Sequence, residues 1–357
     1  MKVLVATDAW HPQVNGVVRT YERLTEEAAG LGCEITVLTP SEFNTVPCPT
    51  YPEIRLALPG YNYVIERLDL INPDAVHIAT EGPIGLMTRR YCKKRGVPFT
   101  TSFHTRFPEY LSSRFGLPAS WVYAWQRYFH NAGEGMMVAS PSLARDLEAR
   151  GFDRLMPWTR GVDTNLFSPR DVRIFGSDQP VFIYVGRVAI EKNIEVFLNL
   201  DLDGRKVVVG SGPMLETFKA QYADVKFTGK LTGEALAQAY ASADVFVFPS
   251  LTDTFGIVLL EAMASGVPVA AYPVTGPIDN VTHGVTGILD DDLAVAVRGA
   301  LLLDRAHVRQ GALAYSWENA ARLFITNIEQ ALFARQGRRV PARKKRRRLL
   351  KRRAPAG

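Results

Sequence analysis

Short apolar runs alternate with amphipathic stretches from the start of the chain. In its first half, apolar runs of strand length lie at 3–6, 35–38, 75–78, 98–102 and 136–139. The first two runs flank residues 17–31, where apolar side chains recur at helical spacing. Such alternation is typical of parallel strands joined by helices. It predicts an α/β domain with a parallel sheet covered by helices.

The second half of the chain repeats the pattern, with apolar runs at 181–185, 207–209, 225–228, 245–248 and 267–271. Between the halves, residues 163–178 are rich in turn-forming residues and show no periodicity, so we place a linker there. We predict two Rossmann-like domains, an N-terminal one at 1–165 and a C-terminal one at 166–335, whose last helix is expected to cross back to the first. In open α/β sheets, ligands bind beyond the carboxyl ends of the strands, which places the site in the cleft between the halves.

Composition fits an ordinary two-core protein, with 357 residues of which 47% are hydrophobic. No apolar run approaches the roughly 20 residues that span a bilayer, and the first residues lack the basic and long apolar segments of a signal peptide. We therefore expect a cytoplasmic location. Cys33, Cys48 and Cys92 lack metal-like or redox-like spacing, so we interpret them as reduced structural thiols.

Charge is concentrated at the C-terminal end. Residues 338–357 contain eleven Lys or Arg and no acid, whereas the whole chain carries a formal charge of +6, so the body is mildly acidic. We interpret residues 336–357 as a disordered basic tail. Such a tail favours an anionic partner, and nucleic acid, a nuclear import factor and an anionic membrane surface all fit that description. A tail that only increases solubility is the alternative interpretation.

The stretch 250–276 carries the most informative chemistry. An apolar strand ends at Pro249, a helical run begins near Gly256, and the turn between them contains Asp253. Glu261 follows eight positions after Asp253, about two turns into the helix. A helix that begins beyond a strand presents unpaired N–H groups to a phosphate, and the two acids suit the hydroxyls of a sugar and a ribose. A helix cap and a solvated surface acid are the alternative interpretation.

A basic pair follows the strand at 181–185. In the sequence GRVAIEKN, Gly186 and Arg187 come at the end of the strand and Lys192 at the start of the next helix. A guanidinium makes bidentate contacts to phosphate, and an ammonium acts as a point charge. The pair is suited to stabilising a departing diphosphate, although an ordinary basic surface turn would have the same composition.

Two residues of the first half follow strands in the same way. Gly16 lies between the first strand and the first helix, where a residue without a side chain lets the backbone approach a ligand. His104 directly follows the strand at 98–102, a position at which a histidine is often structural. Two further loops, at 208–213 and 227–231, follow strands of the second half. The glycines at 208–213 lack the complete dinucleotide fingerprint, which makes hydride transfer a weak interpretation.

Taken in order, these motifs resemble those of the retaining glycosyltransferases with GT-B architecture that carry a Glu-x7-Glu signature, the glycosyl transferases group 1. Asp253 replaces the first glutamate of the signature and Glu261 matches the second, so the identity of the sugar is less defined. The resemblance covers the chain except its basic tail. It implies an α/β fold of the GT-B type, with two Rossmann-like domains whose parallel sheets face each other across a cleft.

The resemblance also implies roles for individual residues. It assigns catalysis to His104, Arg187, Lys192 and Asp253. It assigns donor binding to Gly16, Gly186, Lys230, Leu231, Phe255, Gly256, Ile257 and Glu261, with backbone groups near Lys230 and Leu231 contacting the nucleobase. Asp290, Asp291 and Asp292 look like a metal triplet, but we interpret them as a loop and helix cap and expect neither metal nor cofactor beyond the nucleotide-sugar co-substrate.

Residues 118–132 place Trp121, Trp125 and Tyr128 along one face of a predicted helix, with Arg114 and Arg127 nearby. Core packing is one interpretation of this face. An interfacial helix, which rests at the level of lipid headgroups and helps to bind the acceptor, is the other.

Among members of the family, the motifs look most like those of bacterial enzymes that glycosylate lipids. We expect a metal-independent transfer of glucose, galactose or glucuronic acid from a UDP-sugar to diacylglycerol at the inner face of the cell membrane. The nearest alternative is a GDP-mannose-dependent mannosyltransferase acting on a lipid or polysaccharide. A nucleotide-sugar isomerase and a nucleic-acid-binding protein are the alternatives of another class; we expect no nucleic-acid partner.

Overall fold

Two parallel sheets of six strands each organise the part of the chain that the structure describes. The structure is a computed structural model and describes residues 1–11, 16–48, 51–104, 118–176, 178–251 and 255–338, without the side chains of 48, 51–55 and 335–338. The two sheets confirm the α/β class expected from the alternation of apolar and amphipathic runs.

The first sheet has the strand order β2-β1-β5-β6-β7-β8. Its strands are β1 (Lys2–Ala6), β2 (Glu34–Leu38), β5 (Ala75–Ile78), β6 (Phe99–Phe103), β7 (Gly135–Val138) and β8 (Leu155–Pro157), and β3 (Thr45–Cys48) and β4 (Tyr51–Ala57) form a separate hairpin. The helices of this half are α1 (Gly16–Gly30), α2 (Tyr61–Ile71), α3 (Pro83–Arg95), α4 (Ala119–His130) and α5 (Pro141–Ala149). Val3 pairs with Ile35 on one side and Ala75 on the other, and both faces of β1 are buried, as a central parallel strand requires.

The second sheet has the order β11-β10-β9-β12-β13-β14, the Rossmann arrangement in which the direction of strand addition reverses between β9 and β12. Its strands are β9 (Val181–Val185), β10 (Arg205–Val209), β11 (Lys226–Gly229), β12 (Val245–Phe248), β13 (Val269–Ala271) and β14 (Gly287–Leu289). Its helices are α6 (Ile194–Asn199), α7 (Leu215–Gln221), α8 (Gly233–Ala241), α9 (Ile257–Ala264), α10 (Pro277–Asn280), α11 (Leu293–Ala300) and α12 (Arg305–Leu313). Apolar clusters cover both faces of the sheet.

The last helix, α13 (Trp317–Arg338), leaves the second half and packs against α1 and the first sheet. Phe324 and Ile328 enter the same apolar cluster as Val3 and Trp158. The indole nitrogen of Trp158 donates to the carbonyl of Ala320 at 3.1 Å. This helix therefore ties the C-terminal end of the described chain to the first domain.

The halves also touch beside the cleft. The backbone N–H of Ser142, at the start of α5, donates to Asp279 Oδ1 of α10 at 2.9 Å. Arg23 of α1 forms an ion pair with Asp163 in the connection between the sheets. These contacts hold the carboxyl ends of the two sheets opposite each other.

The sequence located the strands of both sheets to within about two residues, except β8 and β14, which it did not anticipate. The domain limits at 165 and 335 stay predictions. Cys33 and Cys92 are buried free thiols, as expected, and the side chain of Cys48 lies outside the described residues. The basic tail was predicted to be disordered from 336, which is wrong for its first three residues, because α13 continues to Arg338. Residues 339–357 lie outside the described residues. Within the described residues, no helix combines the length and the apolar character needed to cross a membrane.

Candidate active site

A cavity of about 460 Å³ lies between the carboxyl ends of the two sheets. Both halves of the chain line it. The first half contributes Gly16, Val17, Phe103, His104, Ala139, Leu143 and Arg160, and the second half contributes Tyr184, Val185, Gly186, Arg187, Lys192, Phe248, Ser250, Phe255, Gly256, Ile257 and Val258. The cavity thus brings together eight of the twelve catalytic and donor-binding residues identified from the sequence.

The loops after β9 and β12 form the second-domain wall, at the point where strand order reverses. They are tied together by Asn193, whose side-chain amide donates to the carbonyl of Pro249 at 3.1 Å. Asn193 has a left-handed backbone with φ of 53°, which separates the short 3₁₀ turn Ile190–Lys192 from α6. This bond fixes the position of Lys192 relative to the turn that precedes α9.

The glycines at 208–213 support this wall through close backbone contacts. A side chain on Gly210 would place its Cβ 1.8 Å from the carbonyl oxygen of Gly186, and one on Gly212 would lie 2.2 Å from that of Val188. The N–H of Val188 donates to the carbonyl of Ser211 at 3.0 Å. The glycines therefore let the loop after β10 pack directly against the loop that carries Arg187.

Two cations face the cavity from this loop. The Arg187 side chain is 65% exposed and contacts Glu191 at 3.6 Å, an exposed pair that contributes little to stability. Lys192 is half-buried on the same wall. Because Arg187 is solvated and loosely paired, it is available for an anionic ligand.

The turn before α9 provides the next part of the wall. Phe255 is buried and its carbonyl accepts from the side chain of Asn280. Gly256 precedes the helix with φ of 75°, a conformation that disfavours a side chain. The first N–H groups of α9 thus begin at the cavity. Asp253 lies outside the described residues, so its role stays a prediction.

Glu261 lies one turn further along α9 and does not line the cavity. Its Oε2 accepts a hydrogen bond from the hydroxyl of Tyr240 at 3.0 Å. Burial raises the pKa of Glu261 to about 7, against the smaller lowering effects of the Tyr240 bond and the charge of Arg19 on α1. A carboxylate with this pKa changes its charge near neutral pH, and Arg19 brings a charge from the opposite domain towards it.

His104 forms the first-domain wall together with Tyr21 and Arg160. Arg160 Nη2 donates to His104 Nδ1 at 2.5 Å, and His104 Nε2 lies 3.1 Å from the Tyr21 hydroxyl. Burial and the Arg160 charge lower the pKa of His104 well below its ordinary value of 6.5. Since a guanidinium can only donate, His104 is neutral with its proton on Nε2.

This wall continues into a buried polar network. The Tyr21 hydroxyl also lies 2.9 Å from His77 Nε2, and His77 Nδ1 lies 2.8 Å from the Thr100 hydroxyl. Burial lowers the pKa of His77 to about 3. The side chains behind His104 are therefore neutral and mutually hydrogen-bonded, which holds its ring in one orientation.

Other predicted residues lie elsewhere. Lys230 and Leu231 follow β11 at the edge of the second sheet, outside the lining of this cavity. Trp121 and Trp125 are 72% and 41% exposed on α4, and Tyr128 is exposed as well. The interpretation of this face as core packing is therefore wrong. Arg127 donates to the carbonyl of Arg150 at 2.8 Å on the same exposed surface. Arg114 lies outside the described residues.

The aspartate triplet adopts the predicted cap. Asp292 Oδ1 accepts from the N–H groups of Ala294 and Val295 at the start of α11, and Asp290 accepts from the N–H of Asp292. Among the described residues, no group of three or more His, Cys, Asp or Glu side chains is arranged to hold a metal ion. Metal independence stays a prediction.

Two family models match the chain, one for each half. Residues 14–166 match Glycosyltransferase Family 4 and residues 179–302 match Glycosyl transferases group 1. A GDP-mannose-dependent alpha-mannosyltransferase of Mycolicibacterium smegmatis is 31% identical over 93% of this chain and 98% of its own length. The chain belongs to the group 1 glycosyltransferases.

Other relatives are named for different activities. Sulfoquinovosyl transferase of Arabidopsis thaliana is 32% identical over 77% of this glycosyltransferase, although the match spans only 61% of the relative. Alpha-monoglucosyldiacylglycerol synthase of Streptococcus pneumoniae is 24% identical over 85% of this chain and 78% of its own length. The names of the relatives share sugar transfer and differ in the sugar.

Solved structures confirm the GT-B fold. Sucrose-phosphate synthase of Thermosynechococcus elongatus superposes with a TM-score of 0.74 at 22% identity, over 94% of this glycosyltransferase and 99% of that chain. At this identity the likeness concerns the fold alone.

Arg160 and Ser250 are polar cavity residues that the sequence analysis of this glycosyltransferase did not identify as site residues. Arg160 follows the short strand β8, which was not predicted, so nothing in the pattern marked it as the end of a strand. Ser250 was part of the informative stretch, but only the structure shows that its hydroxyl is buried at the cavity without a hydrogen-bond partner among the described residues. An unpaired buried hydroxyl at a cleft indicates a contact to ligand.

Proposed function

We propose that this glycosyltransferase transfers a hexose from a UDP-sugar, with retention of configuration, to a membrane lipid, with diacylglycerol as the acceptor. The observation that carries the proposal is the convergence of Arg187 and Lys192 on a cavity whose opposite wall holds His104 and Gly16. One wall suits a diphosphate, and the other suits a sugar and an acceptor hydroxyl.

The cations act on the leaving group. As the bond between the anomeric carbon and the diphosphate oxygen breaks, negative charge develops on the β-phosphate. Arg187 and Lys192 stabilise that charge from fixed positions, together with the first N–H groups of α9. The preorganised wall held by Asn193 and Gly210 thereby lowers the barrier without a metal.

The acceptor hydroxyl attacks the anomeric carbon from the face that the diphosphate leaves. Its proton passes to the departing phosphate oxygen, so the step balances without a protein nucleophile. Neutral His104 contacts the sugar as a hydrogen-bonding group, since its low pKa keeps it uncharged. Closure of the two domains excludes the water that would otherwise hydrolyse the donor.

An exposed aromatic and basic surface supports a lipid acceptor. Trp121 and Tyr128 of α4 are 72% and 63% exposed. The exposed Lys93 ammonium of α3 lies 5.7 Å from the centre of the Tyr128 ring, and the Arg89 guanidinium, which is buried, lies 4.4 Å from it. Exposed aromatics beside cations are favoured at the headgroup level of a bilayer. We infer that this surface holds the enzyme at the inner face of the membrane, with the basic tail as a second contact.

A second candidate is transfer from GDP-mannose to a lipid or polysaccharide. The similarity to the mycobacterial GDP-mannose-dependent enzyme, which extends over 98% of that protein, favours it.

The name of the monoglucosyldiacylglycerol synthase favours diacylglycerol as acceptor and a glucosyl donor. A nucleotide-sugar isomerase would need no acceptor, and a nucleic-acid-binding protein would turn over neither donor.

The test uses purified full-length protein with a panel of UDP- and GDP-sugars, each with and without diacylglycerol in mixed micelles. Nucleoside diphosphate release and lipid products are followed together by mass spectrometry. We expect a glycolipid from one UDP-sugar. A glycolipid formed only from GDP-mannose establishes the second candidate, and donor turnover that ignores every lipid contradicts the lipid acceptor.

A further inference from the structure

Arg160 is a buried cation on the wall of the cleft. It follows β8, and only 8% of its surface is exposed. Its guanidinium carbon lies 5.1 Å from the centre of the Trp158 ring, which itself is fully packed between α1 and α13. The position of the guanidinium is therefore set by rigid neighbours.

The hydrogen bonds of Arg160 leave one nitrogen unused. Nη2 donates to His104 Nδ1, whereas Nη1 is buried and has no partner among the residues that the structure describes. In the same described residues, no carboxylate forms an ion pair with the guanidinium. The phenol of Tyr21 is nearby, but burial raises its pKa, so it is neutral.

A guanidinium stays protonated in proteins, so this group is a permanent charge. Removing a charge from water is costly unless an opposite charge compensates, and buried charges in proteins are accordingly paired. Here the neighbours are a neutral histidine and a neutral tyrosine. Among the described residues no carboxylate supplies the counter-charge, and the guanidinium lines the cleft that a ligand enters.

The diphosphate has its own cations on the opposite domain. Arg187 and Lys192 follow β9 in the second sheet, whereas Arg160 follows β8 at the far edge of the first sheet. The cavity between them has a volume of about 460 Å³, which accommodates a sugar. An anion at Arg160 would therefore be contacted from the first domain, across the cavity from Lys192.

We propose that Arg160 binds, through Nη1, an oxyanion that the substrate carries outside the diphosphate. The proposal rests on the proposed transfer of a sugar to a membrane lipid, and a phosphate on the acceptor would make that lipid a phospholipid in place of diacylglycerol. A carboxylate or sulfonate on the transferred sugar and a phosphate on the acceptor headgroup share the required chemistry, since each offers two oxygens to a guanidinium. Arg160 thereby selects an anionic substrate over its neutral counterpart.

The test compares wild type with Arg160→Gln and Arg160→Lys in two arms. The donor arm measures the Kd values of UDP, UDP-glucose and UDP-glucuronic acid by calorimetry. The acceptor arm measures kcat/KM for phosphatidylglycerol and for diacylglycerol in mixed micelles. We expect wild type to prefer the anionic member of one pair. In Arg160→Gln this preference should fall tenfold or more, whereas the Kd of UDP should change less than twofold. The arm that responds identifies whether sugar or acceptor carries the anion.

Two results overturn the proposal. Either wild type shows no preference for the anionic member of either pair, or Arg160→Gln weakens UDP binding as strongly as Lys192→Ala does. Arg173→Gln is the matched control, because Arg173 is an exposed arginine that pairs with Asp244 beyond the other end of the second sheet. Because the donor arm measures binding, it remains informative if no lipid is glycosylated, so failure of the acceptor assignment is distinguishable from failure of the Arg160 site. Thermal unfolding of each variant checks that the fold is retained.

Discussion

The hydroxyl of Tyr240 donates to the carboxylate of Glu261 at 3.0 Å, in the interior beside the donor wall. Tyr240 stays protonated because burial raises its pKa well above the usual value. The pair therefore holds a carboxyl group that ionises only near pH 7, with Tyr240 as its donor on Oε2 among the described residues. A ligand that brings hydroxyl donors would favour the ionised form.

The first prediction concerns the pH dependence of donor binding. If Glu261 accepts from the ribose hydroxyls of the donor, only its carboxylate binds well. With a pKa of about 7, the ionised fraction rises from about a tenth at pH 6 to about nine tenths at pH 8. We expect UDP affinity in wild type to rise about tenfold over this range relative to Glu261→Gln, measured by calorimetry. Parallel pH profiles of the two proteins would remove Glu261 from the donor site.

The same carboxyl group makes the free enzyme less stable as the pH rises, whereas it makes UDP binding stronger. Its pKa in the folded state lies above the ordinary value of 4.5, so the native state holds the proton more tightly than the unfolded chain. This contribution is present below pH 4.5 and is lost as the pH rises through 7, on the order of 3 kcal/mol. Urea unfolding should therefore show wild type losing stability between pH 4.5 and 7 relative to Glu261→Gln.

The second prediction concerns the leaving group. Lys192→Ala removes a fixed positive charge beside the departing diphosphate, so we expect kcat to fall about 10²-fold or more with the free energy of unfolding little changed. Lys219→Ala, which removes an exposed lysine paired with Glu216 on α7, is the control and should keep wild-type turnover. Unchanged kcat in Lys192→Ala would show that Lys192 takes no part in the reaction.

The third prediction concerns the support of the donor wall. Gly210→Ala places a Cβ against the carbonyl of Gly186, so either the β10 loop or the Arg187 loop must move. Overpacking of this kind costs about 1–3 kcal/mol, and we expect weaker UDP binding in addition. Gly60→Ala is the control, because nothing lies within 4 Å of its new Cβ. Equal stability and UDP affinity in the two variants would mean that the β10 loop does not position the cations.

The fourth prediction concerns the exposed face of α4. Replacing Trp121 and Trp125 together by alanine should leave the free energy of unfolding within about 1 kcal/mol, because both side chains are substantially exposed. Binding to vesicles that contain anionic lipid should fall severalfold in sedimentation assays. Leu302→Ala, at a residue 87% exposed in the second domain, is the matched control. Vesicle binding equal to that of the control would make the face an ordinary part of the surface.

The sequence revealed the fold because parallel strands are marked twice, by apolar runs and by the amphipathic helices between them. It also placed Gly16, His104, Arg187 and Lys192 in one cleft, since each follows a strand and the carboxyl ends of parallel strands share an edge. Trp121 and Tyr128 were ambiguous because an aromatic stripe has the same spacing whether it packs inward or faces solvent. Only the tertiary contacts distinguish the two.

The role of Arg160 is one that no local sequence pattern predicts. Its importance comes from what surrounds it, a neutral histidine and a neutral tyrosine from distant parts of the chain and the indole of Trp158. No local pattern reports that a cation lacks a counter-charge. Glu261 was found from its spacing, but its raised pKa depends on burial beside Tyr240, which the sequence does not encode locally.

The most direct test of the central claim is the dependence of donor turnover on the acceptor. Purified enzyme is incubated with UDP-glucose, UDP-galactose or UDP-glucuronic acid, and UDP release is measured with and without isotopically labelled diacylglycerol. We predict that one donor gives UDP release that depends on diacylglycerol, with an equal amount of labelled glycolipid and none from Lys192→Ala. UDP release that is the same without the lipid, or a lipid fraction without added hexose, would contradict the account.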